Sequence, residues 1–399
     1  MDHRGNVWYE KEKVLDFIHA NEGFISFLAD AVISFDPQVI GLSVQSTSKF
    51  FALELASCLR KKSRDKVLIF GGPLVFSNCY GSDILNDYPF LDAISLGEAE
   101  QAFPMFLSII DKKRKLEPCE GFAIRSGTYE VLEGAKSPPI KDLDTIPFAD
   151  FSDFEITDYT KKLIPIATSR GCINHCSYCN ESPQWIKYRR RSPQKIIQEI
   201  EFQLSRYPHI DTFWLNDSLI NGDMKMLGDL CDLLIARKLA IRWGGQAMVR
   251  KEMTKDFLAK MKKAGCYLLS YGVENGSDKI LRLMRKPHTA ALAKTVIRDT
   301  HESGVGAIFN IIVGFPGEDE ESFLETKNFI LDCRSYVMHI ELPTYLLLKG
   351  SYVYDNIEEF NIAPLDFKDD WQLKWKTLDS RNTYEIRKHR VEEILNRAT

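Results

Sequence analysis

Between residues 161 and 342, short apolar runs alternate with stretches whose apolar positions recur at helical spacing. Ile196, Ile197, Ile200 and Leu204 fall on one helical face, and Ser192-Pro193 ahead of them offer a cap and a first-turn proline. The pattern predicts strands at Leu163–Thr168, Thr212–Leu215, Ala240–Gly244, Tyr267–Val273, Ala307–Val313 and Met338–Leu342. Helices are predicted over Met224–Arg237, "TKDFLAKMKKAG", Ala290–Ser303 and Glu320–Cys333. Six strand–helix units fall short of a closed eightfold barrel, so a partial (β/α)6 TIM-type barrel is expected over 161–342.

Residues 1–125 show the same alternation with different spacing. A helix precedes the turn Asp36-Pro37, and a buried strand follows at Val39–Val44. "FALELASCLRKK" reads as an amphipathic helix, "KVLIFGGP" as a strand entering a glycine turn, and "LDAISLGEAEQAFPMFLSII" as strand, turn and helix. This predicts an α/β, Rossmann-like parallel sheet, doubly wound. Ligands on such sheets sit at the carboxyl ends of the strands, which makes Ser43, Ser46, Thr47, Gly71, Gly72, Gly97 and Glu98 candidates. The glycines there serve equally well as plain turns. Residues 126–160, with "SPPIKDLDTIPFADFSDFE", read as a linker, and 343–399 as a capping segment with a polar tail.

The net charge of −4 argues against non-specific nucleic-acid binding. The basic run "KYRRR", Lys187 to Arg191, accordingly reads as a solvated helix entrance. No apolar run is long enough to cross a bilayer, and "MDHRGNVWYEKEK" lacks a signal peptide's apolar core, so a cytoplasmic protein is expected. Of nine cysteines, Cys58, Cys79, Cys119, Cys231, Cys266 and Cys333 are scattered and read as small buried hydrophobes. The other three cluster in "ATSRGCINHCSYCNESP".

Cys172, Cys176 and Cys179 fall within eight residues, just after the first barrel strand. Thiolates bind zinc or iron–sulfur clusters. Zinc would need a fourth ligand, from His175 or a distant cysteine, and no second paired motif supplies one. A [4Fe-4S] cluster on three thiolates leaves one iron open to a small molecule.

The pattern Cys-x-x-x-Cys-x-aromatic-Cys, with Tyr178 as the aromatic, resembles the signature of the radical S-adenosylmethionine (radical SAM) enzymes. The resemblance implies a cluster whose open iron is chelated by the amino and carboxylate groups of SAM. Reductive cleavage would then give methionine and a 5′-deoxyadenosyl radical. "FWLNDSLIN" resembles the family segment that meets the SAM amino group, implicating Asn216 and Asp217; a helix-cap reading stands beside it. "AMVR" places Arg250 where a basic residue lies near the SAM carboxylate. "YGVENGSDKIL" resembles the ribose segment, with Glu274 as its acid and Asn275 and Gly276 shaping the turn. "IIVGFPGEDEESF" resembles the adenine-side segment, implicating Gly314, Phe315, Pro316 and Gly317, although Pro-Gly is also an ordinary turn.

"DPQVIGLSVQST", "VLIFGGP" and "AISLGEAEQAF" resemble the cobalamin-binding domain that precedes the radical SAM domain in one subgroup. Ser43, Ser46, Gly71 and Gly72 would then line the corrinoid tail, with Gly97 and Glu98 nearby. No Asp-x-His-x-x-Gly is present, so no histidine is marked as a lower cobalt ligand. Only about 30 residues precede the segment "ISFDPQVIGLSV", where members carry a strand, helix and strand. The first sheet is therefore expected to be short, natively or through truncation. The resemblance implies cobalamin-dependent methyl transfer to an unactivated carbon or phosphorus of a small-molecule substrate, with an electron donor such as flavodoxin or ferredoxin. The alternatives are a cobalamin-independent radical enzyme (a methylthiotransferase or a rearrangement) and a non-catalytic metal-binding or assembly protein.

Overall fold

The structure, a computed structural model, describes residues 8–76, 80–113, 116–127, 130–185, 187–366 and 371–398; Cys79 lies outside them. The chain divides into two compact units. The first comprises residues 1–140, 347–355 and 365–374, and the second 141–346, 356–364 and 375–399.

The first unit carries five strands in sequential order. β1 (Val39–Ser43), β2 (Val67–Gly71) and β3 (Ala93–Ser95) are parallel. β4 (Phe122–Ser126) and β5 (Glu130–Glu133) continue the sheet in antiparallel fashion. The expected parallel, doubly wound arrangement thus holds only across three strands, and strand order never reverses. β4 returns antiparallel to β3, and β5 then folds back on β4 through Gly127, whose φ of 69° suits a tight turn. A connection of three residues closes a hairpin but cannot make a parallel crossover. β5 lies inside the stretch that the sequence reads as linker.

Ahead of β1, residues Lys11–Ala20 and Glu22–Ser34 are helical. Their buried Val14, Ile18, Ile25 and Ala29 share one core with Ala52, Leu55, Ala56 and Leu59 of the helix Lys49–Lys62.

The second unit is built on a six-stranded sheet. Its strands are β6 (Ile164–Ile166), β7 (Thr212–Leu215), β8 (Arg242–Ala247), β9 (Cys266–Glu274), β10 (Gly306–Ile311) and β11 (His339–Glu341). All adjacent pairs are parallel and in chain order. The connecting helices are Pro193–Arg206, Met224–Arg237, Lys255–Lys263, Ala290–Glu302 and Glu320–Cys333. This is the partial barrel that the periodicity predicts.

Helix starts follow local chemistry. Ser192, Asp223, Thr254, Thr289 and Asp319 each accept the third-residue N–H with a side-chain oxygen. Alternate strand residues, including Phe213, Leu215, Leu269, Tyr271, Phe309 and Ile311, share a core with Ile196, Ile200, Leu227, Leu258, Val296 and Phe323 of these helices.

β6 ends earlier than predicted. Beyond it, Ser169-Arg170 pair antiparallel with Arg189-Arg190. Within the "KYRRR" run Lys187 and Arg190 are exposed, as a solvated run should be, whereas Arg191 is buried. Arg190 pairs with Asp223 at 2.6 Å, and Arg191 is buried against Glu199 while donating to the Ala167 carbonyl.

The polar tail is likewise built into the second unit. Arg387 is fully buried, donates to the Trp375 carbonyl and stacks 3.9 Å from the Trp375 ring centroid. Burial lowers its pKa to about 9. The helix Tyr384–Ala398 meets the helix Glu320–Cys333 through Lys327–Glu393.

Candidate functional site

The cysteine loop leaves the carboxyl end of β6 through Gly171, whose φ is 84°. A Cβ there would stand 3.0 Å from the Lys187 carbonyl oxygen and from Cβ of Trp185, so the close approach of the returning chain requires glycine. The loop is fastened by Ser177, which donates its N–H to the Met284 carbonyl at 3.0 Å and its hydroxyl to the Leu283 carbonyl at 2.8 Å. Met284 is buried, as a packing residue should be.

Cys172, Cys176 and Cys179 are all half-buried and unpaired by disulfides. Burial raises the thiol pKa values of Cys172 and Cys176, and Lys286 opposes this at both. His175 is exposed. Among the described residues, no three His, Cys, Asp or Glu side chains are already gathered as a metal-ligating group. The loop nevertheless matches an iron–sulfur donor set in kind. It offers three soft thiols in one half-buried loop, with no carboxylate between them and a buried ammonium nearby.

Facing this loop is the end of β9. A register shift between Gly272 and Glu274 turns Glu274 into the left-handed region at φ 73°. That conformation costs a non-glycine residue about 1 kcal/mol or more and persists only where the surroundings enforce it. Here they do. The Glu274 carbonyl accepts the Ile312 N–H at 2.8 Å. Asn275 accepts from Ser277 N–H and Thr326 hydroxyl and donates to Glu318. Gly276 lies so close to the helix Glu320–Cys333 that a Cβ would sit 2.7 Å from the Thr326 Cα. The buried Glu274 carboxylate meets Lys286 at 3.5 Å, and Lys286 stands 3.5 Å from the Tyr178 hydroxyl. Burial, with Glu274 adding to it, holds the Tyr178 phenol well above its ordinary range. The structure thus joins Cys172, Cys176, Tyr178 and Glu274, and adds Lys286, which nothing in its sequence neighbourhood marks.

The other predicted residues are placed differently. Asp217 is buried and turned inward, accepting from Thr168 N–H at 2.7 Å, from the Thr168 hydroxyl and from Ser169 Oγ at 2.8 Å. It clamps β7 to the end of β6, and burial lifts its pKa to about 6. Asn216 is exposed and lines a cavity of about 260 Å3 with Ala167, Arg170, Arg191 and Glu199. Arg250 donates to the carbonyls of Asn221 and Gly222 and pairs with Glu252.

Gly314 and Phe315 serve packing. The side chain of Arg387 lies where a Gly314 Cβ would be, and Phe315 is buried edge-on to Tyr345 with ring centroids 5.0 Å apart. Pro316 and Gly317 open onto a cavity of about 620 Å3, shared with Leu283, Phe360, Asn382 and Arg390. Glu318, absent from the sequence reading, is the hub of this corner. It is buried, accepts from Gly314 N–H at 3.0 Å and from Asn275, and pairs with Arg390 at 2.9 Å. Burial pushes its pKa to about 7 against the pull of Arg390. The signal that could have found it is an acid directly after Pro-Gly and before a capped helix.

In the first unit, Ser43 and Gly71 are register partners at the carboxyl edge of β1 and β2. Gly72, at φ 87°, presses against β1, where a Cβ would lie 2.8 Å from the Val44 backbone. Ser46 begins a short turn beyond β1, and Gly97 follows β3 with open space around it. Glu98 accepts the Ile140 N–H at 3.3 Å. Ser95, which the sequence reading passed over, ends β3 with a buried hydroxyl that has no hydrogen-bond partner. Exposed Ser43, the orphaned Ser95 hydroxyl and the flat glycine edge suit a ligand rich in hydrogen-bonding groups, as a corrinoid tail is.

The Radical SAM superfamily profile matches residues 166–330. An uncharacterized methyltransferase of Pyrococcus horikoshii is 24% identical over 79% of this chain and 69% of its own length. The anaerobic magnesium-protoporphyrin IX monomethyl ester cyclase of Rubrivivax gelatinosus is 25% identical over 85% of this chain, which spans only 62% of that protein. In fold, the chain is similar to the radical SAM methyltransferase TsrM of Kitasatospora setae, solved with cobalamin and a [4Fe-4S] cluster bound. The TM-score is 0.67 at 15% identity, over 81% of this chain and 67% of that one. Residues 166–330 are thus a radical SAM domain.

Proposed function

We propose that this chain is a radical SAM enzyme that transfers a methyl group to an unactivated carbon or phosphorus of a small molecule, with cobalamin as a second cofactor. The observation that carries the proposal is the convergence of the cysteine loop, Tyr178, Glu274 and Lys286 at the carboxyl ends of β6 and β9. Cys172, Cys176 and Cys179 would hold the cluster, and Glu274 is the acid available to the ribose of SAM. When bound, the cluster would supply the electron that cleaves SAM to methionine and a 5′-deoxyadenosyl radical, and the corrinoid would carry the methyl group. The protein's part is to hold the cluster and SAM at the ends of β6 and β9 and exclude water.

Support for cobalamin comes from the edge formed by Ser43, Gly71, Gly72 and Ser95, and from the fold shared with a cobalamin-bound methyltransferase. The reading also calls for a one-electron donor, for which a flavodoxin or ferredoxin is suited. Among the described residues no helix is long and apolar enough to cross a membrane.

The test is hydroxocobalamin binding to anaerobically reconstituted protein, with 5′-deoxyadenosine production under reducing conditions. Retention of near one corrinoid per chain supports the proposal. Turnover without corrinoid would point to a cobalamin-independent radical enzyme. Neither, with the cluster intact, would leave a metal-binding protein.

A further inference from the structure

Lys286 owes its position to the way the helix Asp278–Leu283 ends. Arg285 takes the left-handed conformation at φ 57°, its N–H meets the Arg282 carbonyl, and the Lys286 N–H reaches back to the Leu281 carbonyl at 2.9 Å. This is a Schellman closure with a non-glycine residue at the turn. The carbonyls just before it, of Leu283 and Met284, are the ones that hold Ser177 of the cysteine loop. Loop and lysine are therefore fastened to the same short segment.

The Lys286 side chain is only 5% exposed, far below what a lysine ordinarily shows. Its ammonium lies 3.5 Å from Glu274, 3.5 Å from the Tyr178 hydroxyl and 6.0 Å from the Tyr178 ring centroid. It also acts electrostatically on Cys172, Cys176 and His288. Its surroundings are thus one carboxylate, two cluster cysteines, a phenol and a buried histidine.

We propose that Lys286 is a positioning residue that serves as the fixed counter-charge of the cluster site, holding Glu274 and Tyr178 in place and favouring the reduced cluster. This rests on the reading of the cysteine loop as an iron–sulfur site. A [4Fe-4S] cluster on three thiolates is already anionic, and reduction by one electron adds a further negative charge beside Glu274. A buried ammonium at that spot stabilises the reduced form more than the oxidised one.

The experiment is a redox titration, followed by electron paramagnetic resonance, of reconstituted wild type, Lys286→Gln, Lys286→Arg and the charge-neutral pair Lys286→Gln with Glu274→Gln. It is run without SAM or cobalamin, so its result does not depend on the reaction or on the second cofactor. Lys286→Gln is expected to disfavour reduction about tenfold, a fall of ~59 mV for one electron. Lys286→Arg should stay near wild type, and the double variant should recover most of the shift. An unchanged midpoint in Lys286→Gln with iron and sulfide content equal to wild type overturns the proposal. Should Lys286→Gln alone fail to hold iron, recovery of iron in the double variant supports the charge role, and its failure there overturns it. A wild type that takes up no cluster overturns the reading of the loop, and this inference with it.

Discussion

Asp217 gives the sharpest test of how this site is built, because motif resemblance gives it to SAM whereas the structure gives it to the scaffold. Its carboxylate accepts three hydrogen bonds from Thr168 and Ser169 in a place where it is 4% exposed. Asp217→Ala strips all three donors of their acceptor, and each bond to a charged group is worth about 1.5–3 kcal/mol. Against this stands the penalty of keeping the acid ionised there. Its pKa is lifted from 3.8 to about 6, a penalty of about 3 kcal/mol at neutral pH. The net expectation for Asp217→Ala is a loss of about 2–5 kcal/mol.

Asp217→Asn keeps the shape and one carbonyl acceptor but sheds the ionisation, so at pH 7.5 it should lie within about 1 kcal/mol of wild type. The sign of the pH dependence follows from the direction of the shift. The folded chain binds the proton more tightly than the unfolded chain, so wild-type stability from this group falls as pH rises from about 4 to about 6. Asp217→Asn lacks that loss, and its stability relative to wild type should improve across the same window. Urea unfolding at pH 4.5 and 7.5 measures both effects. An Asp217→Ala variant as stable as wild type, or an Asn-to-Asp difference that ignores pH, refutes the reasoning. Selective loss of SAM binding with unaltered stability would return the residue to the cofactor.

Gly276→Ala should lower stability by about 1–3 kcal/mol, visible in Tm, because the new methyl meets the Phe329 Cβ at 2.6 Å and backbone at 2.7 Å. Arg390→Ala leaves Glu318 buried without its cation, for a loss of about 3–5 kcal/mol. Glu318 already sits near pKa 7, so that loss should be smaller at pH 5.5, where the folded chain can protonate it, than at pH 8. Chemical denaturation at the two pH values checks this. Cys176→Ala should abolish iron and sulfide uptake on anaerobic reconstitution, whereas Cys231→Ala, in the buried face of the helix Met224–Arg237, should leave it intact.

The barrel was readable because its strands and helices are continuous in sequence and their faces are sharply divided between apolar and polar. Met224–Arg237 and Glu320–Cys333 begin and end where capping residues and periodicity say they should. The cysteine loop and Glu274 stood out in the sequence for a different reason: the features that mark them are local, carried by residue type and spacing. What escaped is carried by pairing across the fold. Lys286 looks like any lysine after a helix until Glu274 and Tyr178 are placed beside it. Arg191 and Arg387 look solvated until Glu199 and Trp375 enclose them. The hairpin of β4 and β5 escaped because its strands are short and only partly apolar. Asp217 was ambiguous because an acid after a strand serves equally as ligand, cap or clamp, and its bonds from Thr168 and Ser169 are invisible in the sequence.

The corner where Gly314 lies under Arg387 has a consequence for biosynthesis. Glu318 steadies the turns after β9 and β10, but its cation, Arg390, is more than 70 residues further along the chain. While a nascent chain emerges, the strands of the second unit can pair before residues 382–390 exist. During that interval Asn275 and Gly314 have only an acid whose cation, Arg390, has not yet been made. The ion pair that locks the turns after β9 and β10 therefore forms only once the chain has been made as far as residue 390, after the strands it steadies.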